Sequence, residues 1–129
     1  MSMNYSVRQV GEVTVLDLSG RITQGEALAF GRDSAQVLHE MVSDLVSQGS
    51  KNILLNLRHV TYIDSSGVGE LISCTTTAQS QGGHIRVCNT SERVGELLRM
   101  KHLDSVLHVD KDEATSLQAF SARGISSAA

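Results

Sequence analysis

The chain has 129 residues, a net charge of −3 and 40% apolar residues, of which very few are aromatic. That length suits one domain with a real core, which without Trp must rest on Leu, Ile, Val, Ala and Met. The acidic balance and the lack of a Lys/Arg stripe argue against direct nucleic-acid binding, and so few rings argue against a base-stacking platform.

In chain order, Tyr5 to Val10 and Val13 to Leu18 read as strands, joined by Gly11-Glu12, a two-residue hairpin signal. Gly20 to Gly25 reads as a connection. Helical period follows from Glu26 to Gln48, clearest at Leu38, Met41, Val42, Leu45 and Val46. Gly31-Arg32-Asp33-Ser34 interrupts it, which predicts a kink or a short preceding segment, with Asp33 or Ser34 capping the main helix. Gly49 marks the stop.

Asn52 to Leu57 is nearly continuous in apolar character and predicts a central strand. A connection then leads to a helix whose N-terminus carries Asp64, Ser65 and Ser66, with Val68, Leu71, Ile72, Thr75 and Ala78 on one face. This helix runs to about Gln81 and stops at Gly82-Gly83. His84 to Cys88 is a strand with Ile85 and Val87 on one face. Ser91 caps a short helix to Met100 that turns Val94, Leu97 and Leu98 inward. Ser105 to Val109 is a weak strand, and Asp112 to Phe120 a last helix. The order β-β-α-β-α-β-α-β-α predicts an α/β fold with a parallel or mixed sheet and helical crossovers. Residues 1–120 form one domain on this reading, and residues 121–129 a flexible C-terminal tail.

No stretch approaches the roughly 20 apolar residues of a membrane span. The first residues lack a secretory pattern, so no membrane insertion and a cytoplasmic location are expected. Cys74 and Cys88 fit free thiols of a reducing compartment, and no Cys/His pair has zinc spacing.

Backbone N–H groups at a helix start are unpaired and favour anions. Asp64, Ser65 or Ser66 therefore serves as a helix cap, or one serine serves as a phosphoacceptor. A phosphate there would repel a docked acidic or apolar partner while leaving the fold intact. A hydrolase elbow needs Gly two residues before and after the serine, and neither Ser65 nor Ser66 has that spacing. Nothing selects His59, His84 or His102 as a base. Gly67-Val68-Gly69 after a strand is part of a dinucleotide loop pattern, but the third Gly position is Ile72. The glycines fit close helix–strand approach or an exposed backbone surface better.

The run from Asn56-Leu57 through Tyr62-Ile63-Asp64-Ser65-Ser66-Gly67-Val68-Gly69, then Gly82-Gly83, resembles the STAS family, the domain of anti-sigma factor antagonists. Leu18-Ser19-Gly20-Arg21-Ile22 resembles the family's early strand end, and Val94-Gly95-Glu96-Leu97-Leu98 with Lys101-His102-Leu103 its short third helix. The resemblance implies a single STAS-like domain, a mixed sheet with helices packed mainly on one side. It also implies partner switching rather than enzymatic activity. The unphosphorylated domain binds an anti-sigma factor with serine kinase activity and frees a sigma factor; phosphorylation of Ser65 ends the complex, and a serine phosphatase restores it. Asp64, Ser66, Gly67, Val68 and Gly69 would form the partner-binding loop. ATP belongs to the kinase, so no cofactor is implied for this chain. The alternative within the family is a scaffold subunit of a larger signalling or transport assembly, never phosphorylated at Ser65. Two features depart from the family pattern: Arg21-Ile22-Thr23 stands where many members carry an acidic residue in a turn, and Gln24 to Val37 is longer than the compact first helix.

Overall fold

The computed structural model describes residues 3–23, 34–103 and 106–128, with side chains described as far as Ala122. Two antiparallel strands come first, β1 (Asn4–Val10) and β2 (Val13–Ile22). They meet at the predicted two-residue turn, where Gly11 takes a φ of 59° that a side chain would resist. Then follow α1 (Ser34–Ser47), β3 (Asn52–Ile63), α2 (Ser65–Ser80), β4 (His84–Cys88), α3 (Glu92–Met100), β5 (Val109–Asp110) and α4 (Glu113–Ala128). The sheet order is β1-β2-β3-β4-β5, with every pair after the first parallel. The mixed sheet, the α/β class and the element order are as expected.

The core follows from strand alternation. Leu16 and Leu18 of β2, Ile53, Leu55 and Leu57 of β3, and Ile85 and Val87 of β4 point to one face. There they meet Leu38, Val42 and Val46 of α1, Val68, Leu71 and Ala78 of α2, and Val94 and Leu98 of α3. The alternate residues Val13, Val15, Leu54 and Cys88 point to the other face and pack on Phe120 and Leu117 of α4. Among the described residues, three helices thus cover one face and α4 alone covers the other.

Four expected boundaries move. β3 does not end at Leu57: it continues to Ile63, with no connection before the next helix. Its extension pairs Ser19 with His59, Gly20 with Val60, Arg21 with Tyr62 and Ile22 with Ile63, across two register shifts. These irregularities break the period-2 pattern, which is why Arg58-His59 and Thr61-Tyr62 disguise a strand. For the same reason β2 absorbs Gly20 to Ile22, expected as connection. The weak strand expected at Ser105 to Val109 is a two-residue β5 at Val109–Asp110, because residues 106–108 form a turn with His108 at φ 51°. The last helix passes its expected end at Phe120 and runs to Ala128, since no Pro halts it. The expected interruption at Gly31-Arg32-Asp33 and a cap at Asp33 lie outside the described residues. Ser34 opens α1, where its buried hydroxyl accepts from Thr23 N–H at 2.7 Å and donates to Thr23 C=O at 3.1 Å.

Candidate functional site

The end of β3 and the start of α2 are built from backbone constraints. Asp64 follows Ile63 in extended conformation, φ −91° and ψ 178°, and its N–H donates to the Ile22 carbonyl at 3.3 Å. Its carboxylate accepts the Gly67 N–H at 2.7 Å, and its carbonyl accepts the Val68 N–H at 3.0 Å. Asp64 is therefore the N-cap of α2, and Ser65 and Ser66 are its first helical residues. Of the three candidate caps, the carboxylate takes the role and leaves both hydroxyls free of it.

Gly67 is what lets the helix start so close to the sheet. A Cβ there would collide with the Ile22 carbonyl oxygen and stand 2.8 Å from Ile63 Cγ2. At Gly69 a Cβ would meet nothing within 4 Å. The expected loop thus divides by direction: Ser65 and Gly69 are exposed, Ser66 and Asp64 half-buried, Gly67 and Val68 buried. Val68 belongs to the core, at 3% exposure. Neither serine hydroxyl has a hydrogen-bond partner among the described residues.

Ser65 stands at the rim of a cleft of about 350 Å³ between the β3–α2 junction and α3. Tyr62, Asp64 and Ser65 form one wall, and Arg93, Glu96, Leu97 and Met100 the other, over buried Ile63 and Val94. Ser91 caps α3 as expected, accepting the Val94 N–H at 3.2 Å, and so sets which α3 side chains face the cleft. Met100 is 78% exposed, an unusual position for a large apolar side chain. Arg21 does not lie in a turn: it is a β2 residue whose guanidinium sits 4.8 Å from the Tyr62 ring centroid. Tyr62, Arg93, Glu96, Leu97 and Met100 escaped the sequence reading as site residues, because only the tertiary fold brings α3 beside Ser65.

None of His59, His84 or His102 lines this cleft. The two cysteines are free and buried against opposite sheet faces, and burial pushes both thiols up to about 12. Among the described residues there is no metal-binding cluster and no helix long and apolar enough to cross a membrane.

A separate polar cluster ties the far face together. Arg8 of β1 donates to Asp17 at 2.9 Å and to Glu113 of α4 at 2.7 Å, and Asn56 donates to Asp17 at 2.7 Å. The Arg8 hydrogen bond holds the Asp17 carboxyl below its usual range, against the opposing effect of burial. Arg86 binds Asp110 through both carboxylate oxygens, at 2.7 and 2.9 Å, and Ser116 adds a third bond at 2.6 Å. Burial raises the Asp110 carboxyl, but these donors outweigh it and the net shift is downward. These residues fasten α4 to the sheet.

The comparisons with known proteins agree with this fold. An anti-sigma-B factor antagonist of Bacillus subtilis is 26% identical over 118 residues, 92% of this chain and 100% of that protein. Among solved structures, an anti-sigma factor antagonist from Mycobacterium paratuberculosis aligns with a TM-score of 0.74 at 17% identity, covering 92% of this chain and 93% of that one. The phosphorylated form of the Bacillus cell fate determinant SpoIIAA aligns with a TM-score of 0.64 at 18% identity, over 90% and 99%. At these identities the two structures speak for the fold alone. The STAS domain profile matches residues 4–116, from the first residue of β1 into α4, so the chain belongs to the STAS domain family.

Proposed function

We propose that this chain is an anti-sigma factor antagonist that works by phosphorylation-controlled partner switching at Ser65. The observation that carries the reading is the state of Ser65 itself: an exposed hydroxyl without a hydrogen bond among the described residues, on a helix start already capped by Asp64. Its side chain holds nothing together, so it can be modified without cost to the fold. The full-length similarity to the Bacillus subtilis anti-sigma-B factor antagonist supports the same role.

In the unphosphorylated state, exposed Tyr62 and Met100 and half-buried Leu97 offer apolar surface beside Ser65 for an anti-sigma factor with serine kinase activity. The kinase brings ATP. The Ser65 Oγ attacks the γ-phosphorus, a base of the kinase takes the hydroxyl proton, the bond to the β–γ bridging oxygen breaks and ADP leaves. The product carries about −1.5 to −2 charges beside Asp64 and Glu96. A partner seated over Leu97 and Met100 would then have to desolvate that charge, and the complex dissociates. A serine phosphatase hydrolyses the ester and restores the binding form.

Binding of the cognate kinase tests this. Ser65→Asp loses the partner while its melting temperature stays within about 1–2 °C of wild type, because an exposed side chain changes stability by only ~0.5 kcal/mol. Ser65→Ala binds constitutively. Equal binding by Ser65→Asp and wild type overturns the switch. A Ser65 peptide that carries no phosphate in cells, in growth or stress, points instead to a scaffold subunit.

A further inference from the structure

We infer that Arg93 is an internal receptor for the phosphate on Ser65, drawing it across the cleft so that the modified chain fills its own docking site. The inference rests on the partner-switching reading of Ser65, and it adds the residue that holds the modified state. Arg93 and Ser65 stand on opposite walls of the same cleft. Arg93 is the one cation lining it among the described residues, and it has no hydrogen-bond or ion-pair partner among them.

The dipole of α3 does not account for its position. Arg93 is the second residue of the nine-residue α3, where the helix dipole disfavours a cation, and Glu92 and the Ser91 cap already satisfy that end. Helices place Arg in the last turn for stability, as α3 does with Arg99. A guanidinium near the start of a helix, without a partner among the described residues and lining the same cleft as Ser65, is explained by an anion that arrives later. Guanidinium geometry suits a phosphate dianion, which it can bind through two parallel N–H groups.

The carboxylates lining the cleft oppose this capture, and the remaining cation nearby, Arg21, lies against the Tyr62 ring, 4.8 Å from its centroid. Asp64 and Glu96 both line it and repel a phosphate, and the Tyr62 ring adds no charge. Without Arg93 the dianion would turn to solvent, away from the two carboxylates. With Arg93 it spans the gap above Val94 and covers the surface between Tyr62 and Leu97.

The test uses the full chain with phosphoserine installed at position 65 during translation, so no kinase is needed. Phosphorus NMR follows the second ionisation of the phosphate in wild type, R93Q, R93K and R99Q. In the wild type this ionisation falls at lower pH than in R93Q by about 0.5 pH unit, the scale of one opposite charge in a partly hydrated cleft. R93K keeps part of the difference through charge alone, and R99Q, one cation fewer on the same helix outside the cleft, titrates like wild type. A common titration for wild type and R93Q overturns the inference. So does an equal shift in R93Q and R99Q, which would reflect net charge alone. Absence of Ser65 phosphate in cells would instead sink the switch and leave this pairing standing as a property of the fold.

Discussion

Gly67 and Gly69 lie two residues apart on the same helical turn and carry opposite constraints. Gly67 has the Ile22 carbonyl and the Ile63 side chain where a Cβ would go, and Gly69 has open space. Gly67→Ala should therefore cost about 1–3 kcal/mol by forcing α2 off β2. Gly69→Ala should gain about 0.5–1 kcal/mol from helix propensity. Thermal melts of the two variants should move in opposite directions, and a shared direction would contradict the close approach at Gly67. Asp64→Ala removes a cap and should cost ~1 kcal/mol in the same assay. These residues were legible to different depths. The Asp-Ser-Ser-Gly run announces a capped helix start and the family, whereas the choice of Asp64 over either serine is made by the folded backbone, which brings the Gly67 N–H to its carboxylate. Periodicity places Val68 on the inward helical face while the resemblance puts it in the partner loop; it is buried at 3% exposure, because one helical turn sends neighbouring side chains to opposite sides.

At the scale of elements, β1 and α4 depend on one another through Arg8, which joins Asp17 and Glu113. The folded Asp17 carboxyl lies below its ordinary 3.8, first through its bond from Arg8. A lowered folded value means a contribution to stability that is present above the unfolded value and lost as pH falls through the folded one. Asp110 shifts in the same direction, with Arg86 and Ser116 outweighing burial. The melting temperature should thus hold with respect to these two groups down to about pH 4 and decline below it. Arg8→Gln should flatten part of that decline and cost at most about 1 kcal/mol near neutrality, since Arg8 is well exposed. An unchanged acid profile in Arg8→Gln would remove Asp17 from the account. The elements themselves were largely readable from periodicity: α2, β4 and α3 lie within a residue of expectation. The second half of β3 was not, because its pairing with β2 runs through two register shifts that carry polar residues into the strand.

Over the whole molecule, the sheet separates the Ser65 cleft from the packing of α4. The Ser65 cleft is made by β3, α2 and α3, and α4 packs on the opposite side through Phe120, which is 4% exposed. Phe120→Ala should cost about 3–4 kcal/mol, yet the molecules that remain folded should bind the partner as wild type does. Equilibrium unfolding gives the first quantity and calorimetric binding, corrected for the folded fraction, the second. A loss of intrinsic affinity in Phe120→Ala would show that the faces communicate. The class and the element order came from pattern alone, since strands alternating with amphipathic helices leave few topologies. The cleft did not: α3 lies more than two dozen residues beyond Ser65 in the chain, and no local pattern reports that they meet.

The suture between Asp64, Gly67 and Ile22 bears on how Ser65 is recognised. The Ser65 hydroxyl sits on the first turn of a helix whose placement is dictated by a strand more than forty residues earlier. A kinase of the proposed switch would read a folded epitope there, so a linear peptide spanning Tyr62 to Gly69 should be a poor substrate although it carries the same letters. Under the proposed switch, modification of Ser65 would then double as a certificate of correct folding: misfolded copies would escape phosphorylation, and only native ones would enter the cycle.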